Sequence, residues 1–484
     1  MYSWLQLNAP GDLLAGLTAQ LSPDYSPRYV ANRLDGVMSS GVKGVLIERN
    51  YIDKDYRSTY YNYYSKKGQR YKLDCVRLHF FDQTVTFDPT AFRLRSPDGR
   101  LTDHYFGYMV LRPTGIATIG RSVVSPDVRS GACKYIITAR HKVHLLGYKL
   151  EVEGFPSMDQ HVDISVCAHA ACWSILRHYS ERYSVYRELL THDITTMAQE
   201  FDPGGLVPSF GLDITHAERV FQAAGTFPVH VAKSMPDDAP FYRQLVAYID
   251  SGFPLFAAMD KRQHAVVLAG YSWASPSVTR PPGARYSLDE IEALAVVDDN
   301  YLPYLSIGRS GATPPSYAAD DIDAFIVPLP EKIYYPADAV DKLSPTLYKL
   351  KSAIGFPKEN ESVIRYFVTT GSAFRKFVRD RESEYDPKLL EVIMSLPFAQ
   401  FVWVIEFATV SDWDASTVST RAVVDATASY RETFPLWLIY DRNSALVFDR
   451  SRVPSDVRSL GLTTPGHTGY SRMIQNLRPT QAKP

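Results

Sequence analysis

The sequence predicts an α+β protein of about three domains. At 484 residues the chain is longer than one hydrophobic core usually supports. In the middle of the chain, helical patterns come first and strand patterns follow, whereas a parallel α/β fold would alternate them. We therefore predict a β-rich accessory domain over residues 1–150, an α+β domain over residues 151–330, and an α/β accessory domain with a polar C-terminal tail over residues 331–484.

Hydrophobic periodicity supports each domain in turn. The first domain has strand-like runs, among them VKGVLIE, YFGYMVL and HKVHLLGYKLEVEGF, and one helical run near residues 54–67. The middle domain has helical runs followed by the strands PLFAAMD, HAVVLAGYSW and EALAVVDD. The last domain has helical runs followed by the strands FVWVIEFAT, FPLWLIYD and ALVFD. The other predicted helices lie at residues 166–179, 184–200, 213–224, 240–250, 344–354, 361–380 and 387–395.

The composition favours a cytoplasmic protein without a cofactor or a metal ion. Four cysteines are too few and too irregularly spaced for a disulfide framework, so we expect reduced thiols. The N-terminus lacks the charged and apolar regions of a signal peptide, and no stretch has the length of an apolar membrane helix. His141 and His144 lie in a strand pattern that directs them to opposite faces, which disfavours a zinc site.

Charge is unevenly distributed along the chain. Residues 1–150 carry 21 Lys and Arg against 12 Asp and Glu, whereas residues 151–330 carry 11 against 23. The opposite charges of these two domains could help them dock, or the acidic domain could favour a cationic polypeptide substrate. The run KDYRSTYYNYYSKK in the basic domain could stack on single-stranded nucleic acid, but tyrosines at helical spacing more often pack in a core. We favour packing and do not expect nucleic acid as a partner.

A cysteine at the start of a predicted helix is the leading candidate for a nucleophile. In QHVDISVCAHAACWSILRHY, apolar residues recur at helical spacing over residues 166–179, which places Cys167 at the helix N-terminus. The positive end of the helix dipole and its free N–H groups favour a thiolate there and could stabilise an oxyanion. Cys172 is a rival, but it lies within the apolar stripe and is expected to pack in the core.

A histidine and an acidic residue follow at the ends of two predicted strands. His264 directly precedes the apolar run AVVLAGY, and Asp298 and Asp299 end the run EALAVVDD. A cysteine nucleophile needs a base, and the base needs a third group that orients its imidazole. Because adjacent strand residues face opposite ways, only one of the two aspartates can serve. The sequence predicts a catalytic set of Cys167, His264 and Asp298, with Asp299 as the alternative acid.

These motifs resemble those of papain-like cysteine peptidases, above all the bacterial peptidases that cleave double-glycine leaders. The run CAHAACWSILRHY is similar to the nucleophile helix of that family, and HAVVLAGY to its histidine strand. In that comparison Asp298 takes the place of the aspartate that closes the next strand, and Gln160 that of the glutamine whose amide completes the oxyanion hole. The resemblance covers about residues 150–330 and implies a central papain-like domain in a bacterial protein.

The chain departs from the family pattern at two points. The nucleophile is followed by Ala-His where Gly-Pro is usual, and Gln160 lies seven residues before Cys167, one more than usual. The Cys-Trp pair that begins at Cys172 is also similar to a step in papain itself, which keeps Cys172 open as the nucleophile.

The resemblance implies amide hydrolysis through a thioester, on a protein or peptide substrate and without a cofactor. The same triad could instead transfer an acyl group to another acceptor. An alternative from a different class is a catalytically silent papain-like scaffold that binds a protein partner.

Overall fold

The chain folds into helices and three large sheets, and the predicted α+β class is confirmed. The structure is a computed structural model that describes residues 2–66, 68, 70–160, 167–199, 212–235, 238–274, 285–310, 315–329, 333–450, 456–463, 469–474 and 477–479. None of the helices in these ranges is both long and apolar enough to cross a membrane. The helices are α1 (Asp12–Gln20), α2 (Pro27–Leu34), α3 (Lys54–Asn62), α4 (Cys167–Arg182), α5 (Thr191–Gln199), α6 (Ile214–Ala223), α7 (Ala239–Asp250), α8 (Ala337–Thr346), α9 (Gly371–Arg379), α10 (Pro387–Ser395) and α11 (Val410–Asp414).

The N-terminal part of the chain forms a seven-stranded antiparallel sheet, the first sheet. The strands of this part are β1 (Tyr2–Gln6), β2 (Gly44–Tyr51), β3 (Cys75–Phe81), β4 (Thr86–Asp88), β5 (Arg93–Arg95), β6 (Tyr105–Leu111), β7 (Ile119–Val124), β8 (Tyr135–Ile137), β9 (Ala139–Leu145) and β10 (Tyr148–Ser157). The first sheet has the order β1-β2-β3-β6-β7-β10-β9. Along β9, buried and exposed side chains alternate, so His141 and His144 lie on opposite faces, as predicted.

The middle of the chain builds the central sheet. The strands in this part of the chain are β11 (Phe227–Ala232), β12 (Leu255–Met259), β13 (His264–Trp273), β14 (Arg285–Tyr286), β15 (Ile291–Val297), β16 (Leu305–Ile307) and β17 (Ala324–Leu329). The order is β11-β17-β12-β13-β15-β16, and β8 pairs with β13 beside Gly270 and Tyr271. The predicted boundary at residue 150 therefore differs from the structure in two ways, because it divides β10 and separates β8 from its own sheet.

The C-terminal part forms the third sheet. The strands in this part of the chain are β18 (Ser362–Thr370), β19 (Phe401–Thr409), β20 (Thr417–Val418), β21 (Thr420–Asp425), β22 (Leu436–Tyr440), β23 (Ser444–Asp449), β24 (Asp456–Gly461), β25 (Tyr470–Ser471) and β26 (Leu477–Pro479), of which β20 and β25 pair with each other outside the third sheet. The order is β14-β18-β19-β21-β22-β23-β24, and only β14 and β18 are parallel neighbours. The segment predicted as a polar tail instead supplies β24 to this sheet, and its β26 pairs with β8 of the central sheet.

One predicted helix is half wrong. Within residues 361–380, the run SVIRYFVTT is strand β18, and only the following nine residues form helix α9. The run is rich in β-branched and aromatic residues, which suit a sheet buried on both faces. The helix begins after Thr370, whose hydroxyl oxygen accepts a hydrogen bond from the backbone N–H of Ala373.

The tyrosine-rich helix α3 packs against the first sheet. Tyr56 on this helix and Tyr64 just beyond it are buried in a cluster with residues of β2 and β3, while Tyr61 is exposed. This burial is what the packing interpretation of the tyrosine run requires.

A network of buried charges joins the central and third sheets. Arg365 of β18 donates to Asp250, at the end of α7, through Nε at 2.6 Å and Nη2 at 2.8 Å. It also donates to Glu406 of β19 at 2.7 Å, and Arg421 of β21 donates to the other oxygen of Glu406 at 2.6 Å. Tyr271 of β13 donates to Asp250 at 2.6 Å. The strand that begins with His264 is thus tied at its far half to the C-terminal part of the chain.

Candidate active site

The helix of the predicted nucleophile lies between two sheets. Helix α4 begins at Cys167 and packs against β9 and β10 of the first sheet and β12 and β13 of the central sheet. Cys167 is partly exposed, whereas residues 168–179 of the same helix are all buried. The predicted cysteine is therefore the one residue in this stretch that combines a helix start with access from outside.

The rival cysteine is enclosed in the core. Cys172 has no exposed surface, and burial raises the pKa of its thiol far above the ordinary value. Cys75 and Cys133 are also buried, and burial raises the pKa of both thiols. A thiol that is held neutral and out of contact with solvent is a poor nucleophile. Of the four cysteines, Cys167 is the one whose surroundings suit nucleophilic chemistry.

His264 is held at the first position of β13. It pairs with Met259 of β12, and the chain turns into the strand through Gln263, whose φ of 49° is in the left-handed region. The His264 imidazole lies between the other two predicted residues. Its Nε2 is 3.0 Å from Oδ2 of Asp298, and the thiol of Cys167 lies within hydrogen-bonding reach of the ring. Because Nε2 is occupied by the carboxylate, Nδ1 is the nitrogen left to face the thiol.

The carboxylate of Asp298 is fixed by bonds to both of its oxygens. Oδ1 accepts from the backbone N–H of Asn300 at 2.8 Å and from its side-chain amide at 3.1 Å. Oδ2 accepts from the hydroxyl of Tyr317 at 2.6 Å as well as bonding His264. Asp298 is buried and follows β15 directly. Asp298, rather than Asp299, is thus the acid that orients the imidazole.

His264 and Asp298 each stabilise the charged form of the other. Burial alone would lower the pKa of His264, but the hydrogen bonds and charges of Asp298 and Cys167 raise it to about 10. Burial would raise the pKa of Asp298, yet the bonds from His264, Tyr317 and Asn300 lower it to about 2. The imidazole is therefore held as an imidazolium over the neutral pH range, which is the state that stabilises a neighbouring thiolate.

Asp299 has a different environment from its neighbour. It is buried, its Oδ1 accepts from the Asn300 amide at 3.2 Å, and its Oδ2 has no hydrogen-bond partner among the described residues. Burial and the charge of Asp298 raise the pKa of Asp299 to about 7. The backbone carbonyl of Asp299 accepts from Arg33, which also pairs with Asp159 at 2.7 Å. This links the loop after β15 to helix α2 of the N-terminal part.

These residues also form the one cluster, within the described ranges, whose geometry could hold a metal ion. Donor atoms of His264, Asp298 and Asp299 all lie within 4.8 Å of one another. However, Nε2 of His264 and Oδ2 of Asp298 already bond each other, and Asp299 is partly protonated near neutral pH. The arrangement favours holding and moving protons over metal coordination.

The position of Gln160 leaves its predicted role open. Gln160 follows β10 and is partly buried, and its backbone carbonyl accepts from Arg112 at 3.4 Å. Residues 161–166, which connect it to Cys167, lie outside the described residues. Its contribution to an oxyanion hole therefore stays a prediction.

Sequence reasoning missed the groups that support the site. Tyr317 comes 19 residues after Asp298 and carries no periodic or motif signal, although it donates to the key carboxylate. Helix α4 is braced by Asp55 of α3, which accepts from Nε1 of Trp173 at 3.1 Å and from Nη2 of Arg177 at 3.0 Å. All three residues of this brace are buried. The N-terminal part of the chain thereby anchors the helix that presents Cys167.

The assembled geometry is suited to covalent acyl chemistry. It combines an accessible thiol at a helix N-terminus, an imidazolium beside it, and a fully bonded carboxylate behind the imidazole. Comparison of the chain with models of known protein families and with characterised proteins finds no match.

Proposed function

We propose that this protein is a cysteine peptidase or isopeptidase with a papain-like central domain. The observation that carries the proposal is the bond between His264 and Asp298 at 3.0 Å, with Cys167 at the start of α4 within reach of the same ring. A helix that presents a cysteine against an antiparallel sheet, with the histidine at the start of one strand and the acid after the next, also agrees with the resemblance in sequence.

In the proposed reaction, the thiolate of Cys167 attacks the carbonyl carbon of an amide. The imidazolium of His264 protonates the departing amine as the C–N bond breaks, which leaves a thioester on the sulfur. Water then attacks the thioester while His264 accepts its proton, and the acid product and the thiolate are released. Asp298 holds the imidazole in place and stabilises its charged form throughout.

The oxyanion that forms at each attack needs donors near the start of α4. The free backbone N–H groups of a helix N-terminus supply such donors, and Gln160 is the side chain proposed to add another. The substrate is proposed to be a protein or peptide in the cytoplasm, and the first and third sheets to restrict its access. If an amine replaces water in the second step, the same site acts as an acyltransferase.

The proposal is tested by searching for new peptide termini. The full-length protein is incubated with a complex peptide mixture, and the products are identified by mass spectrometry for wild type, Cys167→Ser and Cys172→Ser. We expect new termini with wild type and Cys172→Ser but none with Cys167→Ser. Equal products from wild type and Cys167→Ser would contradict the proposal.

A further inference from the structure

A basic cleft lies far from the candidate active site, on the C-terminal part of the chain. It has a volume of about 290 Å³ and is lined by residues of α9, the turn after it and the segment 472–474. Strand β13 has ten residues, so at about 3.3 Å per residue its last residue, Trp273, lies about 30 Å from His264. Arg472 lines the cleft, and its guanidinium lies 5.5 Å from the centre of the Trp273 ring.

Arg472 is a buried cation that forms no ion pair with any of the described residues. Its exposure is 9%, and its guanidinium lies 4.3 Å from the ring centre of Trp413. Within the described part of the chain its side chain has two long contacts, to the Trp413 carbonyl at 3.5 Å and the Ser416 hydroxyl at 3.3 Å, and its Nε has no partner. Burial and the like charge of Arg365 lower its pKa. A buried charge of this kind is costly unless an anion compensates it.

Two neighbouring buried arginines, unlike Arg472, are bonded to carboxylates. Arg365 and Arg421 are buried in the same region, and each bonds at least one carboxylate at 2.6 Å. No carboxylate of a described residue forms an ion pair with Arg472. What distinguishes Arg472 is that it borders an open cleft, so its missing anion has a route in from solvent.

The rest of the lining fits an anion that carries an apolar group. Arg381 lies 4.4 Å from the ring centre of Phe377 and has no ion pair among the described residues. Lys376 forms an ion pair with Asp380 at 2.6 Å, so the charges of these two residues cancel. The two arginines therefore give the lining a net positive charge. Phe377, together with Met473 and Ile474, supplies apolar surface beside these cations.

We propose that this cleft binds a small organic oxyanion, a carboxylate or a phosphate attached to an apolar group, with Arg472 and Arg381 as its ligands. The oxyanion would complete the hydrogen bonding of the buried guanidinium, and the apolar group would cover Phe377. A cleft of this volume suits a small molecule. This proposal does not rest on the peptidase function, because neither arginine belongs to the candidate active site.

The test measures binding of three probes, inorganic phosphate, phenyl phosphate and benzoate, to the full-length protein at constant ionic strength. Titration calorimetry gives the dissociation constants, and thermal unfolding checks the stabilisation that a bound ligand must produce. The variants are Arg472→Gln and Arg381→Gln, with Arg379→Gln as the control, since Arg379 is exposed and lines another surface. Arg381 is partly exposed, so its variant tests the site even if Arg472→Gln fails to fold.

We expect saturable binding of phenyl phosphate or benzoate to wild type and Arg379→Gln, weakened at least tenfold in Arg381→Gln and Arg472→Gln. Preference for phenyl phosphate would assign a phosphate ligand, and preference for benzoate a carboxylate. Tighter binding of either aromatic probe than of inorganic phosphate would support the role of the apolar lining. Binding that is equally tight in wild type and both arginine variants, or no saturable binding of any probe, would overturn the proposal.

Discussion

Replacement of Arg365 by methionine should strongly destabilise the protein, because this residue joins two sheets through buried charges. The side chain makes four hydrogen bonds, two to Asp250 at 2.6 and 2.8 Å, one to Glu406 at 2.7 Å and one to the Met473 carbonyl at 2.6 Å. Asp250 is fully buried and, among the described residues, would keep only its bond from Tyr271. Removing one partner of a buried pair costs about 3–5 kcal/mol, and Arg365→Met should lower the free energy of unfolding by that amount.

The assay is urea-induced unfolding, followed by tryptophan fluorescence. Asp338→Asn is the control, because Asp338 pairs at 2.8 Å with Lys342, whose side chain is 69% exposed, and such surface pairs contribute about 0–1 kcal/mol. The double variant Arg365→Met with Asp250→Asn removes both charges, so it should be less unstable than the sum of the two single variants. A loss below about 1 kcal/mol in Arg365→Met would refute the view that this network holds the sheets together.

Three further predictions follow from the site and its supports. Tyr317→Phe removes a hydrogen-bond donor from Asp298, and a hydrogen bond to a charged group contributes about 1.5–3 kcal/mol. Activity in the peptide-terminus assay should therefore fall about tenfold or more. An unchanged rate would contradict this prediction. The pKa of Asp299 is raised to about 7, so the folded state keeps a proton that the unfolded state releases near pH 4, and this residue should make stability fall between about pH 4 and pH 7. Asp299→Asn should abolish that part of the pH dependence in unfolding experiments; a profile identical to wild type would count against the assigned shift. A fragment of residues 151–330 should fail to fold, as judged by proton NMR dispersion, because it lacks β8 and Arg365, which pairs with the buried Asp250; a well-dispersed spectrum would show that the central sheet is independent.

Local signals in the sequence were enough to single out three residues that the structure brings close together. The helical period beginning at Cys167 and the apolar runs beside His264 and Asp298 are properties of short segments, and the structure brings these three residues together. The choice between Asp298 and Asp299 was not decidable from strand alternation, because both follow β15. The decision comes from Asn300, which holds one oxygen of Asp298 so that the other faces the imidazole.

Long-range pairing was beyond the reach of pattern reasoning. The strands β8 and β26 are too short to give a periodic signal, and their pairing crosses the predicted domain boundaries. Within residues 361–380, a buried strand is followed directly by a helix. The polar run TTGS, which contains the N-cap Thr370, marks the change, and the single predicted helix passed over it. Tyr317 and Asp55 act on the site from distant segments, and neither lies in a motif.

The most direct test of the central claim is the intact mass of the protein after treatment with a thiol-reactive, peptide-like inhibitor. Wild type is compared with Cys167→Ala, His264→Ala and Cys172→Ala at neutral pH. We predict a single adduct that is lost in Cys167→Ala, strongly slowed in His264→Ala and retained in Cys172→Ala. Labelling that is unaffected by His264→Ala, or that disappears in Cys172→Ala instead, would contradict the assignment of an activated thiol at Cys167.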